Sequence, residues 1–296
     1  VRRILGEQHV GPTTLATSDF VALLRERYPH LLPPVLQPSF SGPPDEALPG
    51  ASVGMGPRLN RLLPHGTTVL ALRDAEGVVL AGDRQATMGY EVADRHIQKV
   101  YTADDYSAIA IAGIAGPCMQ MAKLLTTQLE FYEKVEGSVL SLEGKANYLS
   151  LLLRQNLAAA MQGLVVVPLF AGYDLRRGEG RIFKYDVTGG RYEETEYYAI
   201  GSGGKDARGT LRKWFRPGLP REEALEHAVE ALMDAGEEDI ATGTVDFVRG
   251  IYPTVKVISR EGTRDIPDDD VRRVAERIVE RRRPARSRHS ADEPPQ

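Results

Sequence analysis

The chain has 296 residues, 42% hydrophobic and 26% charged, which excludes a fibrous or wholly disordered protein and suffices for a substantial buried core. Its 37 Lys and Arg against 41 Asp and Glu leave a net charge of -4, with no bulk attraction to nucleic acid. A single cysteine, Cys118, leaves no partner for a disulfide or a multi-cysteine zinc site, and no apolar run nears the roughly 20 residues of a membrane span.

Residues 1–14, VRRILGEQHVGPTT, hold no long apolar stretch of the kind that exports a chain, so the sequence predicts a soluble cytoplasmic protein without membrane attachment. Residues 17–32 open on Thr17, Ser18 and Asp19 as capping candidates and set Phe20, Leu23, Leu24 and Leu31 near one face, predicting one short helix. Between Pro33 and Pro64 lie eight Pro and four Gly, the composition of a flexible linker.

The texture changes after Gly66. TTVLAL and GVVLAGD, separated by Asp74 to Gly77, predict an antiparallel hairpin, and HIQKVY (96–101) and YSAIAIAG (106–113) two further strands. The period then becomes helical, with Met121, Leu124, Leu125, Leu129 and Tyr132 on one side, and a second helix carries Leu149, Leu152 and Leu153 and stops near Gly163. Strands are expected within 164–174, 180–187 and 195–203, helices over 204–216 and 220–236, and a last strand over 253–259. A final helix starts at Pro267, with Asp268 to Asp270 in its first turn and Val271, Val274, Ala275 and Ile278 aligned. Strands in blocks and helices in pairs argue for an α+β fold, a four-layer α/β/β/α sandwich of two antiparallel sheets flanked by helices. A solvated tail follows from about residue 283, including the basic run RRRPARSRH.

Acyl transfer by a Ser or Cys nucleophile ordinarily uses a histidine base. The six histidines do not support one: His9, His30, His65 and His289 lie in the flanks, His227 within a predicted helix and His96 at the start of a predicted strand. Cys118 follows Gly116-Pro117 at a helix start, where its pKa could be lowered, but a lone cysteine there also suits a small buried hydrophobe. GSGGKDARG (201–209) has Asp206 where a dinucleotide loop needs its third glycine, so a tight strand-to-helix turn is the better reading. One class of hydrolase needs no histidine, because a free α-amino group, with a pKa of roughly 7.7 to 8.0, can take the proton of its own side-chain hydroxyl. Thr67 qualifies if the Gly66-Thr67 bond is cut, and a glycine at 66 gives that junction the freedom to turn its carbonyl toward the hydroxyl.

HGTTVLALRDAEGVVLAGDRQATMG, with IQKVY and AIAGIAG after it, resembles the start of a proteasome β subunit, an N-terminal nucleophile hydrolase made as an inactive precursor. In that family the first mature Thr is followed at sixteen residues by Asp and at thirty-two by Lys, and from Thr67 these fall on Asp83 and Lys99. Forty-six residues on stands Gly113, whose backbone N–H the resemblance makes an oxyanion donor. The family's Gly-Ser-Gly before a helix matches Gly201, Ser202 and Gly203, and Asp239, Thr242 and Gly243 match its acidic, hydroxyl and glycine positions, with Thr where Ser is commoner. The resemblance covers residues 65 to about 260. The Pro-rich leader, NLAAAMQGL, LFAGYD and VRGIYPTV are similar to the actinobacterial branch.

The resemblance implies a propeptide over 1–66, removed by autolysis, and a threonine peptidase domain over 67–296. A cationic Lys99 would ease formation of the Thr67 alkoxide, Asp83 would hold it, and Ser202, Asp239 and Thr242 would form a network around the Thr67 amine. The substrate pocket would be lined by Ala86, Thr87, Ile97, Tyr101, Ile111, Ala115 and Met119, which carry no charge and favour apolar side chains. No metal or organic cofactor is expected. The implied partners are α subunits, other β subunits in a seven-membered ring of an α7β7β7α7 particle, and an ATPase ring feeding in unfolded protein. Two alternatives share the fold: a catalytically silent β-type scaffold, disfavoured because Thr67, Asp83 and Lys99 are all present, and the simpler bacterial threonine peptidase, disfavoured by the leader and the 230 residues from Thr67 onward.

Overall fold

In a computed structural model, the structure describes residues 66–88 and 91–283. The expected helix over 17–32, the linker over 33–64, four of the six histidines (His9, His30, His65 and His289) and the tail beyond Arg283 lie outside the described residues.

Two five-stranded antiparallel sheets make the middle of the fold. In one, strands β1 (Thr68–Arg73), β2 (Gly77–Gly82), β10 (Tyr197–Gly201), β11 (Thr254–Ser259) and β12 (Gly262–Asp265) run in the order β10-β1-β2-β11-β12. In the other, β5 (Val100–Asp104), β6 (Ser107–Gly113), β7 (Val166–Asp174), β8 (Glu179–Tyr185) and β9 (Arg191–Glu194) follow chain order. The short hairpin of β3 (Ala86–Met88) and β4 (Glu91–Asp94) stands apart.

Side-chain alternation explains why the central strands read as continuous apolar runs. Val69 and Ala71 of β1 and Val78 and Leu80 of β2 pack against Ala108, Ala110, Leu169, Ala171 and Ile182 of the opposite sheet. The alternate residues, Leu70, Leu72, Val79 and Ala81, pack outward on helices α4 (Gly204–Trp214), α5 (Arg221–Glu238) and α6 (Asp268–Arg282). On the far side Ile109, Ile111, Phe170 and Phe183 meet Leu125 and Leu129 of α1 (Ala115–Glu136) and Leu149 and Leu153 of α2 (Leu142–Gln155). A strand buried on both faces has no polar side, and each fully buried Leu or Ile there contributes about 1.5–3 kcal/mol. The layers are therefore α/β/β/α, the expected fold class.

Local chemistry fixes the ends. Asp74 Oδ1 accepts from Glu76 N and Gly77 N at 2.8 and 2.6 Å to turn the first hairpin, and Arg221 at the start of α5 pairs with the same carboxylate. Ser141 Oγ caps α2 by accepting from Gly144 N at 3.1 Å. After α2 a single turn, α3 (Leu157–Ala160), precedes Gly163.

The strand expected over 96–101 starts only at Val100, and His96, exposed, takes no part in it. Ile97 N donates to Arg84 O at 3.0 Å, which holds residues 96–99 as a crossing segment beside the end of β2. β3, β4, β9 and β12 were not expected; EVAD, RYEE and GTRD are short and polar, and their pairing partners rather than their own patterning make them strands.

Candidate active site

The end of β2, the start of β5 and the start of β1 come together at one end of the two sheets. Asp83 follows β2 directly and Lys99 precedes β5 directly, so strand ends rather than loop tips carry both charges. Both are buried, and Lys99 Nζ stands 2.7 Å from Asp83 Oδ1. Asp83 also accepts from three backbone N–H groups: Thr68 at 2.8 Å, Gln85 at 2.9 Å and Gly243 at 2.8 Å. Four donors around one carboxylate answer most of its lone pairs and compensate its removal from water. Lys99 donates in addition to Gln85 O and, at 3.0 Å, to Gly66 O. Burial pulls the Lys99 ammonium below the ordinary lysine value, and the Asp83 carboxylate acts in the opposite direction.

The Gly66-Thr67 peptide is intact, and its carbonyl oxygen is the meeting point. Thr67 Oγ donates to Gly66 O at 2.5 Å, so that oxygen lies between the hydroxyl and the Lys99 ammonium. Gly66 sits at φ +97, and a Cβ there would come within 2.5 Å of Thr87 Oγ and 2.8 Å of Ala241 O. Only glycine takes this conformation in this space without strain.

Thr67 O accepts from Ser202 N at 2.9 Å and from Ser202 Oγ at 3.3 Å. Asp239, at the C-terminal end of α5, turns the chain by accepting from Ala241 N at 3.1 Å and aims its second oxygen at Thr242 Oγ, 2.6 Å away. Thr242 Oγ then lies 2.6 Å from Thr68 Oγ. With the junction intact, this arm reaches the residue after Thr67, whereas the sequence reading put it around the Thr67 amine.

A pocket opens beside Thr67. Ala86, Ile97, Tyr101, Ile111 and Ala115 line it together with Gly66, Lys99 and Gly113, the last residue of β6. Thr87 is buried behind Gly66, whereas Met119 is exposed on α1 and is not part of the lining. Gln98 and Cys118 also line the pocket. Cys118 was legible as a lining residue, since it follows Ala115 by three on a helix and so shares its face. Its thiol is pushed up to about 12 by burial, the opposite of a lowered helix-start value, and it is the small buried hydrophobe of the two readings. The part of Gln85 left no trace in the sequence because it acts through its backbone N–H and C=O. Among the described residues no group of three or more His, Cys, Asp and Glu is arranged to hold a metal ion, and no helix is long and apolar enough to cross a membrane.

The comparisons agree with this architecture. Residues 63–248 match the family described as proteasome subunit. A proteasome subunit beta of Acidimicrobium ferrooxidans is 58% identical over 217 residues, 73% of this chain and 80% of that protein. One of Streptomyces griseus is 50% identical over 269 residues, 91% of this chain and 90% of that protein. With the family match spanning well over half of the chain, from just before the Gly66-Thr67 junction to beyond Asp239 and Thr242, the chain belongs to the proteasome subunit family and is of its β type.

Proposed function

We propose that residues 1–66 are a propeptide, that the chain cuts its own Gly66-Thr67 bond, and that Thr67 then serves as the nucleophile of a threonine endopeptidase. The observation that carries this reading is Thr67 Oγ at 2.5 Å and Lys99 Nζ at 3.0 Å from one oxygen, that of the bond to be cut. Attack of Thr67 Oγ on the Gly66 carbonyl carbon breaks the bond to Thr67 N and leaves an ester. The hydroxyl proton passes to the departing nitrogen, so this step frees the Thr67 amine, and water then hydrolyses the ester, which restores the Thr67 hydroxyl and gives residues 1–66 a carboxylate. Charge that develops on the Gly66 oxygen falls against the Lys99 ammonium, which Asp83 holds in place.

In the mature subunit the freed α-amine takes the proton of the Thr67 hydroxyl. Gly113 N–H receives the oxyanion, and Ser202, Asp239 and Thr242 fix the start of β1. The reaction calls on no metal or organic cofactor. The apolar lining by Ala86, Ile97, Ile111 and Ala115 supports a preference for apolar residues before the scissile bond. The relatives' names support a place as a subunit of a proteasome, and we extend this to assembly with α subunits and β rings of seven in an α7β7β7α7 particle of the cytoplasm, supplied with unfolded protein by an ATPase ring.

Intact mass after co-expression with the α subunit of the same source tests the reading. The wild type is expected to lose residues 1–66 and hydrolyse peptides, and Thr67→Ala to retain the leader and hydrolyse nothing. An active particle whose β subunit still carries residues 1–66 overturns it.

A further inference from the structure

Thr68 stands between the two halves of the site. Its backbone N–H donates to Asp83 Oδ1, the oxygen that also accepts from Lys99, and its carbonyl accepts from Asp83 N at 3.1 Å. Its side chain is fully buried and points the other way, to Thr242 Oγ at 2.6 Å and Gly203 N at 2.9 Å.

The direction of this arm follows from donor counting. The Asp239 carboxylate can only accept, so the hydroxyl hydrogen of Thr242 goes to it. Thr242 then has only lone pairs left for Thr68, so Thr68 donates to Thr242, and the Thr68 lone pair takes the Gly203 N–H. Each hydroxyl gives one hydrogen and receives one, a chain without an unmet group. The backbone makes room for it: a Cβ on Gly203 would come within 2.8 Å of both Thr68 Oγ and Thr242 Oγ.

From this we infer that Thr68 is a positioning residue, whose hydroxyl connects Asp239 and Thr242 to the neighbouring Thr67 and fixes it against Lys99. The inference rests on the proposed role of Thr67. The side-chain hydrogen bonds from Asp239 and Thr242 reach the start of β1 through this hydroxyl, and a valine of the same shape would fill the space without making the bonds. Val is as β-branched as Thr and suits the strand equally, so the substitution isolates the hydrogen bonds.

The test compares Thr67→Ala, Thr68→Val and Thr68→Ser in the assembled particle with its α subunits, reading leader removal by mass and kcat and KM on an apolar peptide. Thr68→Val is expected to lower kcat about 10- to 100-fold with KM within about twofold, the loss that follows when buried hydrogen-bonding groups go unpaired. Thr68→Ser, which keeps the hydroxyl, is expected to regain most of it. Asp239→Asn is then expected to cost much less in the Thr68→Val background than alone, because the link is already cut. Wild-type kcat in Thr68→Val, or an Asp239→Asn loss of equal size in both backgrounds, overturns the inference. Should Thr68→Val fail to assemble, Thr242→Val cuts the same link from outside β1, with the same kcat loss expected and wild-type kcat again overturning the inference. Hydrolysis by Thr67→Ala would instead sink the nucleophile reading beneath it, and the inference with it.

Discussion

Gly66→Ala perturbs the cleavage junction and nothing in the mature enzyme, because under the proposed reaction residue 66 leaves with the leader. The methyl group would have to sit 2.5 Å from Thr87 Oγ and 2.8 Å from Ala241 O, and the backbone at φ +97 disfavours any side chain. Holding a non-glycine residue in such a region costs about 1–3 kcal/mol, and forcing a methyl into a packed site costs about 1–3 kcal/mol more. The junction can escape this total of about 2–6 kcal/mol only by moving the Gly66 carbonyl away from Thr67 Oγ and Lys99 Nζ, and so losing the attack geometry. At about 1.4 kcal/mol per factor of ten, leader removal should slow by between about 30-fold and about 20,000-fold. A time course of intact mass on freshly assembled particles measures the rate, and peptide turnover per processed subunit should equal that of the wild type. Processing of Gly66→Ala at the wild-type rate would refute the argument that this conformation is the reactive one. Altered turnover by correctly processed subunits would refute the claim that residue 66 acts only at the junction.

Much of the fold was legible because its central strands are buried on both faces. A run such as Val69 to Leu72 leaves little choice but a covered sheet, and the paired helices supply the two covers. The edges were illegible for the converse reason: β4, β9 and β12 carry charged residues, and their strand conformation comes from register against a neighbour. At the site, Thr67, Asp83 and Lys99 were singled out because their types and spacing match the family's pattern, and the structure brings their side chains together around Gly66 O. What could not be read is carried by backbone. Three of the four groups on Asp83 and two of the three partners of Lys99 are main-chain atoms, which no residue type announces. Thr68 was hidden differently, in plain view as the second letter of a Thr-Thr pair whose first letter drew the attention.

Lys99→Ala should leave a folded subunit that neither removes its leader nor hydrolyses peptides, since Asp83 keeps three backbone donors while the oxygen of the cut bond loses its cation; turnover near wild type, with mass confirming the substitution, would make Lys99 a structural residue only. Cys118, with its thiol moved from 9.0 to about 12, should be alkylated about a thousandfold more slowly in the native particle at pH 8 than in the unfolded chain, and equal rates would show that burial does not protect it. The pH dependence of kcat/KM joins the two charges of the site. The profile should rise as the Thr67 amine loses its proton and fall where Lys99 loses its own, because the base must be neutral and the stabilising ammonium charged. Burial sets that falling limb below the ordinary lysine value, while Asp83 holds it up. Replacing the carboxylate by Asp83→Asn removes the attraction that favours the ammonium and leaves the burial, so the falling limb should move to lower pH whatever residual rate remains. Substituting His96, exposed ahead of β5, or His227, stacked on Trp214 in α5, should leave both limbs where they are. A falling limb that stays put or moves up in Asp83→Asn would mean that the group titrating there is not Lys99, and the division of labour between amine and ammonium would have to be abandoned.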